Sequence, residues 1–191
     1  MIAHPRKDRS GRFGLRGISP FGADRVASGL ARRLDDRYHY FHKVSPPGIP
    51  QIEAVVVGPG GIWTLLHTSI RGRFRKRNGH WYAWNRSTES WVPWDAMPLN
   101  EARLAGHRLE LYLERAALSF HVDACLLTDP GTEIGWERDQ QPGVLVEGDL
   151  EHLAVRIDRD ETLTPAQVDR IVALLDPRQP LPRLATSTPQ G

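Results

Sequence analysis

The stretch that decides the fold is QIEAVVVGPGGIWTLLHT, which spans residues 51–68. Residues 51–57 are rich in β-branched side chains, and residues 61–67 form a second run of apolar and β-branched side chains. The Gly58-Pro59-Gly60 segment between the two runs is typical of a tight turn, because glycine and proline seldom lie inside a strand. The sequence therefore predicts two consecutive strands joined by this turn.

The segments on either side add helices and strands in an order typical of an α/β protein. Residues 23–36 are predicted to form a helix and residues 38–44 a strand. Residues 73–76 and 81–85 flank Asn78-Gly79, a strong hairpin signal. The later predictions are a helix over residues 99–117, a strand over 120–127, short strands over 144–146 and 153–156, and a helix that begins at Thr164-Pro165. This order predicts a mixed central β-sheet flanked by helices.

Composition indicates one globular domain with polar ends. The chain has 191 residues, of which 40% are hydrophobic and 25% charged. No apolar run approaches the ~20 residues of a membrane span, and no secretory signal is recognisable. The single cysteine, Cys125, lies in a predicted buried strand, which favours an inert thiol and a cytoplasmic, bacterial-type protein. We expect a flexible basic arm over residues 1–18, a domain over 19–176 and a disordered tail over 177–191.

Positive charge is concentrated in residues 1–43 and 71–86, whereas residues 147–161 are acidic. This asymmetry favours an anionic partner, of which nucleic acid is the usual one. Of the two nucleic acids, DNA is expected in preference to RNA. The predicted hairpin interleaves cations with aromatic residues, as contacts to phosphates and bases require. Its candidate nucleic-acid-binding residues are Arg71, Arg73, Arg75, Lys76, Arg77 and Trp81. The alternative is an ordinary edge hairpin whose arginines prevent pairing with other chains.

Several short pieces of sequence between residues 20 and 130 occur in an order found in a known family. They are Gly22-Ala23-Asp24-Arg25, residues 34–38, Lys43-Val44, residues 51–61, Arg71-Gly72-Arg73 and Pro98-Leu99. Together they resemble the NERD (nuclease-related domain) family of the PD-(D/E)xK restriction-endonuclease-like superfamily. The resemblance implies a restriction-endonuclease-like core with the order α-β-β-β-α-β.

The resemblance also implies a nuclease site, from which this chain departs. In the superfamily, two acids hold divalent cations and the lysine of an acid-x-lysine pair activates water and stabilises charge. Asp24 and Glu53 match the acids of the first helix and second strand, and Gln51 could add an oxygen ligand. The candidate catalytic residues are therefore Asp24, Gln51 and Glu53, with Asp24 and Glu53 as ligands for Mg²⁺ or Mn²⁺. Leu66-His67-Thr68 stands where the acid-x-lysine pair belongs.

Each surviving acid also has an interpretation without catalysis. Asp24 in the first turn of a helix is stabilised by the helix dipole, and Glu53 could face solvent. His67 should point away from the face of Leu66 and Thr68, so it could replace the missing lysine only if a bulge interrupted its strand.

The sequence thus favours a nuclease-related domain that has lost catalysis and acts as a nucleic-acid-binding or interaction module. The alternative is an active Mg²⁺- or Mn²⁺-dependent nuclease that hydrolyses phosphodiester bonds with Asp24 and Glu53. A further alternative is a structural domain that forms homo-oligomers. No membrane partner is expected.

Overall fold

The structure, a computed structural model, describes residues 1–4, 25–135 and 144–176. Within these residues the chain forms a six-stranded sheet, a four-stranded sheet and four helices, so the predicted mixed α/β class is confirmed. In chain order the elements are β1 (Ile2–His4), α1 (Arg25–Leu30), β2 (His39–Val44), β3 (Ile52–Gly58), β4 (Gly61–Thr68), β5 (Gly72–Arg77), β6 (His80–Asn85), β7 (Ser90–Pro93), α2 (Met97–Arg115), β8 (Val122–Thr128), β9 (Thr132–Gly135), β10 (Leu145–Glu147), α3 (Leu150–Ile157) and α4 (Pro165–Leu175).

The two strands predicted around Gly58-Pro59-Gly60 lie at the centre of the larger sheet, whose order is β1-β2-β3-β4-β8-β10. Strands β2, β3 and β4 are antiparallel neighbours, and Gly58 pairs with Gly61 across the turn. Strand β8 then runs parallel to β4 after the chain has passed through α2. Helices cover both faces, which explains why Val55, Val56 and Val57 are all fully buried and the β3 sequence is continuously apolar.

The helices form one layer on each face of the larger sheet. Helices α2 and α4 pack against one face, where Leu109, Leu113 and Ile171 are fully buried. Helices α1 and α3 pack against the other face, together with Leu30 and Leu153. The sheet is therefore the middle layer of a three-layer core.

The central turn is fixed in place by Tyr38. The buried Tyr38 hydroxyl donates a 2.6 Å hydrogen bond to Asp158 Oδ1, just beyond α3, and accepts one from the Gly60 N–H at 3.3 Å. The Pro59 carbonyl accepts two further bonds from the backbone of residues 162–163. A Cβ on Gly60 would overlap a backbone carbonyl of α3, so the turn requires glycine for this close approach.

The smaller sheet has the order β7-β6-β5-β9 and contains the predicted hairpin. Asn78 and Gly79 have φ values of 50° and 79°, and positive φ at both central residues is what a type I′ turn requires. Strand β9 follows β8 along the chain and pairs in parallel with β5. Because β8 belongs to the larger sheet and β9 to the smaller one, the connection between them joins the two sheets. On the inner face of the smaller sheet, Phe74 lies 4.3 Å from Trp94, measured between ring centroids.

Two predicted elements differ from the structure. Residues 153–156 belong to α3, so the short strand predicted there is wrong. Asp149 accepts a hydrogen bond from the Glu151 N–H and begins the helix, and its apolar residues pack against the sheet at helical spacing. The described part of the first helix ends at Leu30 instead of residue 36. The chain turns after Leu30, and the Asp35 carboxylate then accepts a hydrogen bond from the Arg37 N–H outside the helix.

The ends of the chain were expected to lack structure. Residues 2–4, assigned to the basic arm, instead form β1 and pair with β2. The rest of that arm (5–18) and the tail (177–191) lie outside the described residues. In the part of the chain that the structure describes, no helix is both long and apolar enough to cross a membrane.

Candidate functional site

A cleft of about 1370 Å³ lies where β2, β4, β8 and β10 end and β3 begins. Helix α1 and the first turn of α3 form its other wall. The strands contribute His42, Glu53, His67, Thr128 and Glu147 to its lining. Helix α1 and the turn after it contribute Arg25, Ser28, Arg32 and Arg33. The loop after β8 contributes Asp129, Pro130 and Gly131. Strand ends of this kind are a common location of binding sites in α/β proteins.

Glu53 is half-buried at the edge of this cleft. The pairing of β3 with β4 stops at Ala54 and Leu65, and beyond this point the Glu53 carboxylate accepts a 3.4 Å hydrogen bond from the His67 N–H. The side chain therefore replaces a backbone acceptor of the sheet. In the part of the chain that the structure describes, the other carboxylate oxygen of Glu53 has no hydrogen-bond donor and is available to the cleft.

Strand alternation breaks at Glu53. Ile52 and Val55 lie in the same core cluster although they are three residues apart. On the neighbouring strand, Phe41 and Val44 share that cluster, and Lys43 between them has φ of 54°. Regular two-residue alternation would place Ile52 and Val55 on opposite faces of the sheet, and likewise Phe41 and Val44. The break is how Glu53 comes to line the same cleft as His67.

The three residues in place of the acid-x-lysine pair have different surroundings. Leu66 packs against the cluster around Ala124 and Leu126, which is an apolar environment. His67 lines the cleft, and Thr68 accepts a hydrogen bond from the Ile70 N–H. The β4–β8 pairing is regular through Thr68, so His67 reaches the cleft without a bulge in its own strand.

Asp129 is a cleft residue that the sequence analysis missed. Its carboxylate oxygens lie 3.4 Å from His67 Nε2 and 3.2 Å from Arg71 Nη2. The Arg71 guanidinium, followed by His67, holds the pKa of Asp129 below its usual range. The available signal was its position directly after the buried parallel strand β8, where polar residues often form sites. Asp129 can orient the imidazole of His67.

The proposed metal ligands are only partly described. Asp24 lies outside the described residues, and Gln51 is exposed before β3 begins. Across residues 1–4, 25–135 and 144–176, no group of three or more His, Cys, Asp or Glu residues is arranged to hold a metal ion. Glu53 is thus the one predicted metal ligand that the described cleft contains.

The predicted nucleic-acid-binding residues lie on two faces of the smaller sheet. Arg73 and Arg75 share the outer face, where Arg73 pairs with Glu133 at 3.0 Å and the Arg75 guanidinium lies 4.0 Å from the ring centre of Trp91. Trp81 packs on the inner face beside the cluster formed by β8 and the start of α2. Of the remaining cations, Arg71 pairs with Asp129 as described, Lys76 is half-buried and Arg77 is exposed.

Cys125 is fully buried in β8, so its predicted position in a buried strand is confirmed, and burial raises the pKa of its thiol.

No protein-family model, curated protein or solved structure matches this chain.

Proposed function

We propose that this protein is a nuclease-related domain with a restriction-endonuclease-like core that binds nucleic acid without hydrolysing it. The observation that carries the proposal is the combination of Glu53 in the cleft with Leu66 in an apolar cluster. A hydrolytic site of this superfamily needs a second carboxylate at the position of Leu66, and leucine offers no oxygen to a metal ion.

The order of elements supports the core assignment. Helix α1 precedes three antiparallel strands, β2 to β4, and α2 then leads to β8, which is parallel to β4. This is the α-β-β-β-α-β order that the sequence resemblance implies. The cleft lies beside β3, the strand that carries Glu53. A nucleic acid backbone in the cleft would approach the position at which the superfamily has its catalytic site.

Arginines around the cleft support an anionic ligand. Arg25 and Arg32 line it from the side of α1, and Arg71 lies beside Asp129 at its edge. Arginine contacts of this kind would position phosphates. The binding affinity that they provide falls as the salt concentration rises.

The test combines binding and cleavage on the same samples. Fluorescence anisotropy with labelled single- and double-stranded DNA and RNA should detect binding that weakens with added salt. Gels of the same mixtures with Mg²⁺, Mn²⁺ or EDTA should show intact nucleic acid. Arg32→Gln should weaken binding, whereas Arg103→Gln, on a helix that packs on the other face of the sheet, should not. No binding by a folded protein that forms a stable oligomer would instead favour the structural alternative.

One observation favours an active Mg²⁺- or Mn²⁺-dependent nuclease as the second candidate. His67 shares the cleft with Glu53 and is paired with Asp129, so it could accept a proton from an attacking water molecule in place of the missing lysine. Cleavage that disappears with EDTA and with Glu53→Ala would support this candidate. His67→Ala should then also lower the cleavage rate, and cleavage unaffected by either variant would point to a contaminating nuclease.

A further inference from the structure

The outer face of the smaller sheet carries aromatic side chains that the protein core does not use. Antiparallel partners point to the same side of a sheet, which places Tyr82 beside Arg75 and Trp84 beside Trp91. Tyr82, Trp84 and Trp91 are each partly buried and partly exposed, and none belongs to a core cluster of the described residues. By contrast Phe74 points inward.

These side chains are held in a defined arrangement. The ring centres of Trp84 and Trp91 lie 5.3 Å apart with an edge-to-face angle of 63°. The Arg75 guanidinium lies over Trp91, and within the described residues its buried Nε has no hydrogen-bond acceptor. A rigid arrangement of aromatic rings reduces the entropy lost when a flexible ligand stacks on them.

The same face is positively charged. Arg73, Arg75 and Arg77 alternate along β5, so they repeat about every 6.6 Å. Glu133 offsets the charge of Arg73, and the exposed Arg77 has no acidic partner in the described part of the chain. Cations at this interval, beside aromatic rings that are partly exposed, complement a ligand with regularly spaced negative charges and flat apolar groups.

We propose that this face, formed by Arg75, Arg77, Tyr82, Trp84 and Trp91, binds single-stranded nucleic acid by base stacking. This inference rests on the proposed function and names its ligand. Trp84 and Tyr82 stack against bases, and Arg75 and Arg77 contact phosphates. A duplex is excluded from stacking because its bases already stack on one another.

The cleft and the smaller sheet are adjacent at the start of β5. Strand β5 begins at Gly72, which pairs with Thr132, and Thr132 belongs to the lining of the cleft. The next residue along β5 is Arg73, whose side chain lies on the outer face beside Glu133.

The test measures the affinity of the full chain for a labelled single-stranded DNA oligonucleotide and for its duplex, by anisotropy. Trp84→Ala should weaken single-strand binding about tenfold and leave duplex binding within twofold. Trp84→Phe, which retains an aromatic ring, should recover most of the affinity. Arg77→Gln should weaken binding and lower its salt dependence, whereas Arg103→Gln should do neither. Circular dichroism and thermal melting check that each variant is folded.

The outcomes separate this inference from the function on which it rests. If the wild-type protein binds nucleic acid but Trp84→Ala and Arg77→Gln bind single strands normally, while Arg32→Gln binds weakly, the stacking face is refuted and the cleft remains the binding site. Equal affinity for duplex and single strand, lost equally in Trp84→Ala, also refutes stacking. If the folded wild-type protein binds no nucleic acid, both proposals fail together.

Discussion

The hydrogen bond between Tyr38 and Asp158 should make a measurable contribution to stability. Tyr38→Phe removes the hydroxyl and leaves the buried ring, so the change in core packing is small. The 2.6 Å bond to a carboxylate belongs to a class that contributes about 1.5–3 kcal/mol. Asp158 lies at the surface and can regain water, so we expect the lower end, about 1.5 kcal/mol of lost unfolding free energy.

The Gly60 N–H loses its acceptor in the same variant, which adds to the cost because the tyrosine hydroxyl lies in a buried part of the turn. For a domain of this size, about 1.5 kcal/mol corresponds to a melting temperature roughly 3–6 °C lower. The assay is urea denaturation followed by circular dichroism, with thermal melting as a second measurement.

Tyr112→Phe is the matched control. Tyr112 is half-buried on α2, and burial alone raises the pKa of its hydroxyl. Its removal should change the unfolding free energy by less than about 0.5 kcal/mol. A double-mutant cycle of Tyr38→Phe with Asp158→Ala should give a coupling of about 1 kcal/mol. Equal stability of the Tyr38 and Tyr112 variants, or no coupling in the cycle, would refute the role assigned to this hydrogen bond.

Three further predictions follow from burial and from local charge. Leu109→Ala should lower the unfolding free energy by about 2–5 kcal/mol because the Leu109 side chain is fully buried. Leu111 is 40% exposed, so Leu111→Ala should change the unfolding free energy by less than about 0.5 kcal/mol. Similar values for the two variants in urea denaturation would contradict the packing of α2. Cys125 should react with a thiol reagent only at the rate of unfolding, and rapid labelling of the native protein would show that β8 is accessible. Burial and the nearby His4 lower the pKa of His39. His39 therefore binds a proton more readily in the unfolded chain than in the folded one, and stability should fall as pH drops through about 6.5. Denaturation at about pH 7.5 and about pH 5.5 should show a smaller decrease for His39→Gln than for the wild type, and equal decreases would exclude this contribution.

The strands and helices with strong local signals could be predicted from the sequence. Gly58-Pro59-Gly60 and Asn78-Gly79 specify turns by their backbone preferences. The helix predicted over residues 99–117 corresponds to α2, in which Leu109 and Leu113 are buried whereas Leu104 and Leu111 are exposed. Strands β7 and β9 were missed because each has only four residues, and β9 is in addition defined by pairing with the distant strand β5. The apolar run of α3 is short enough to fit a strand, and its helical form depends on the Asp149 cap and on packing against the sheet.

The candidate site was less predictable because it depends on an irregularity in the sheet. Two-residue alternation separates Glu53 from His67, and on that basis His67 needed a bulge in β4 to reach the site. The structure instead leaves β4 regular and changes β2 and β3, where Lys43 has positive φ. A lysine in that conformation has no sequence signal of its own. Asp129 enters the cleft through the parallel pairing of β8, which is also a non-local feature.

The lengths of the outermost strands have a consequence for the behaviour of the protein at high concentration. The described edges of the two sheets are β1, β10, β7 and β9, with three or four residues each, whereas the central β3, β4 and β8 have seven or eight. An unpaired edge recruits a strand from another molecule through its row of free amide and carbonyl groups, and three or four residues offer a short row. The long, apolar strands that would aggregate most readily are thus kept in the interior, and a variant that detached β1 would expose the edge of β2 to other copies of the chain.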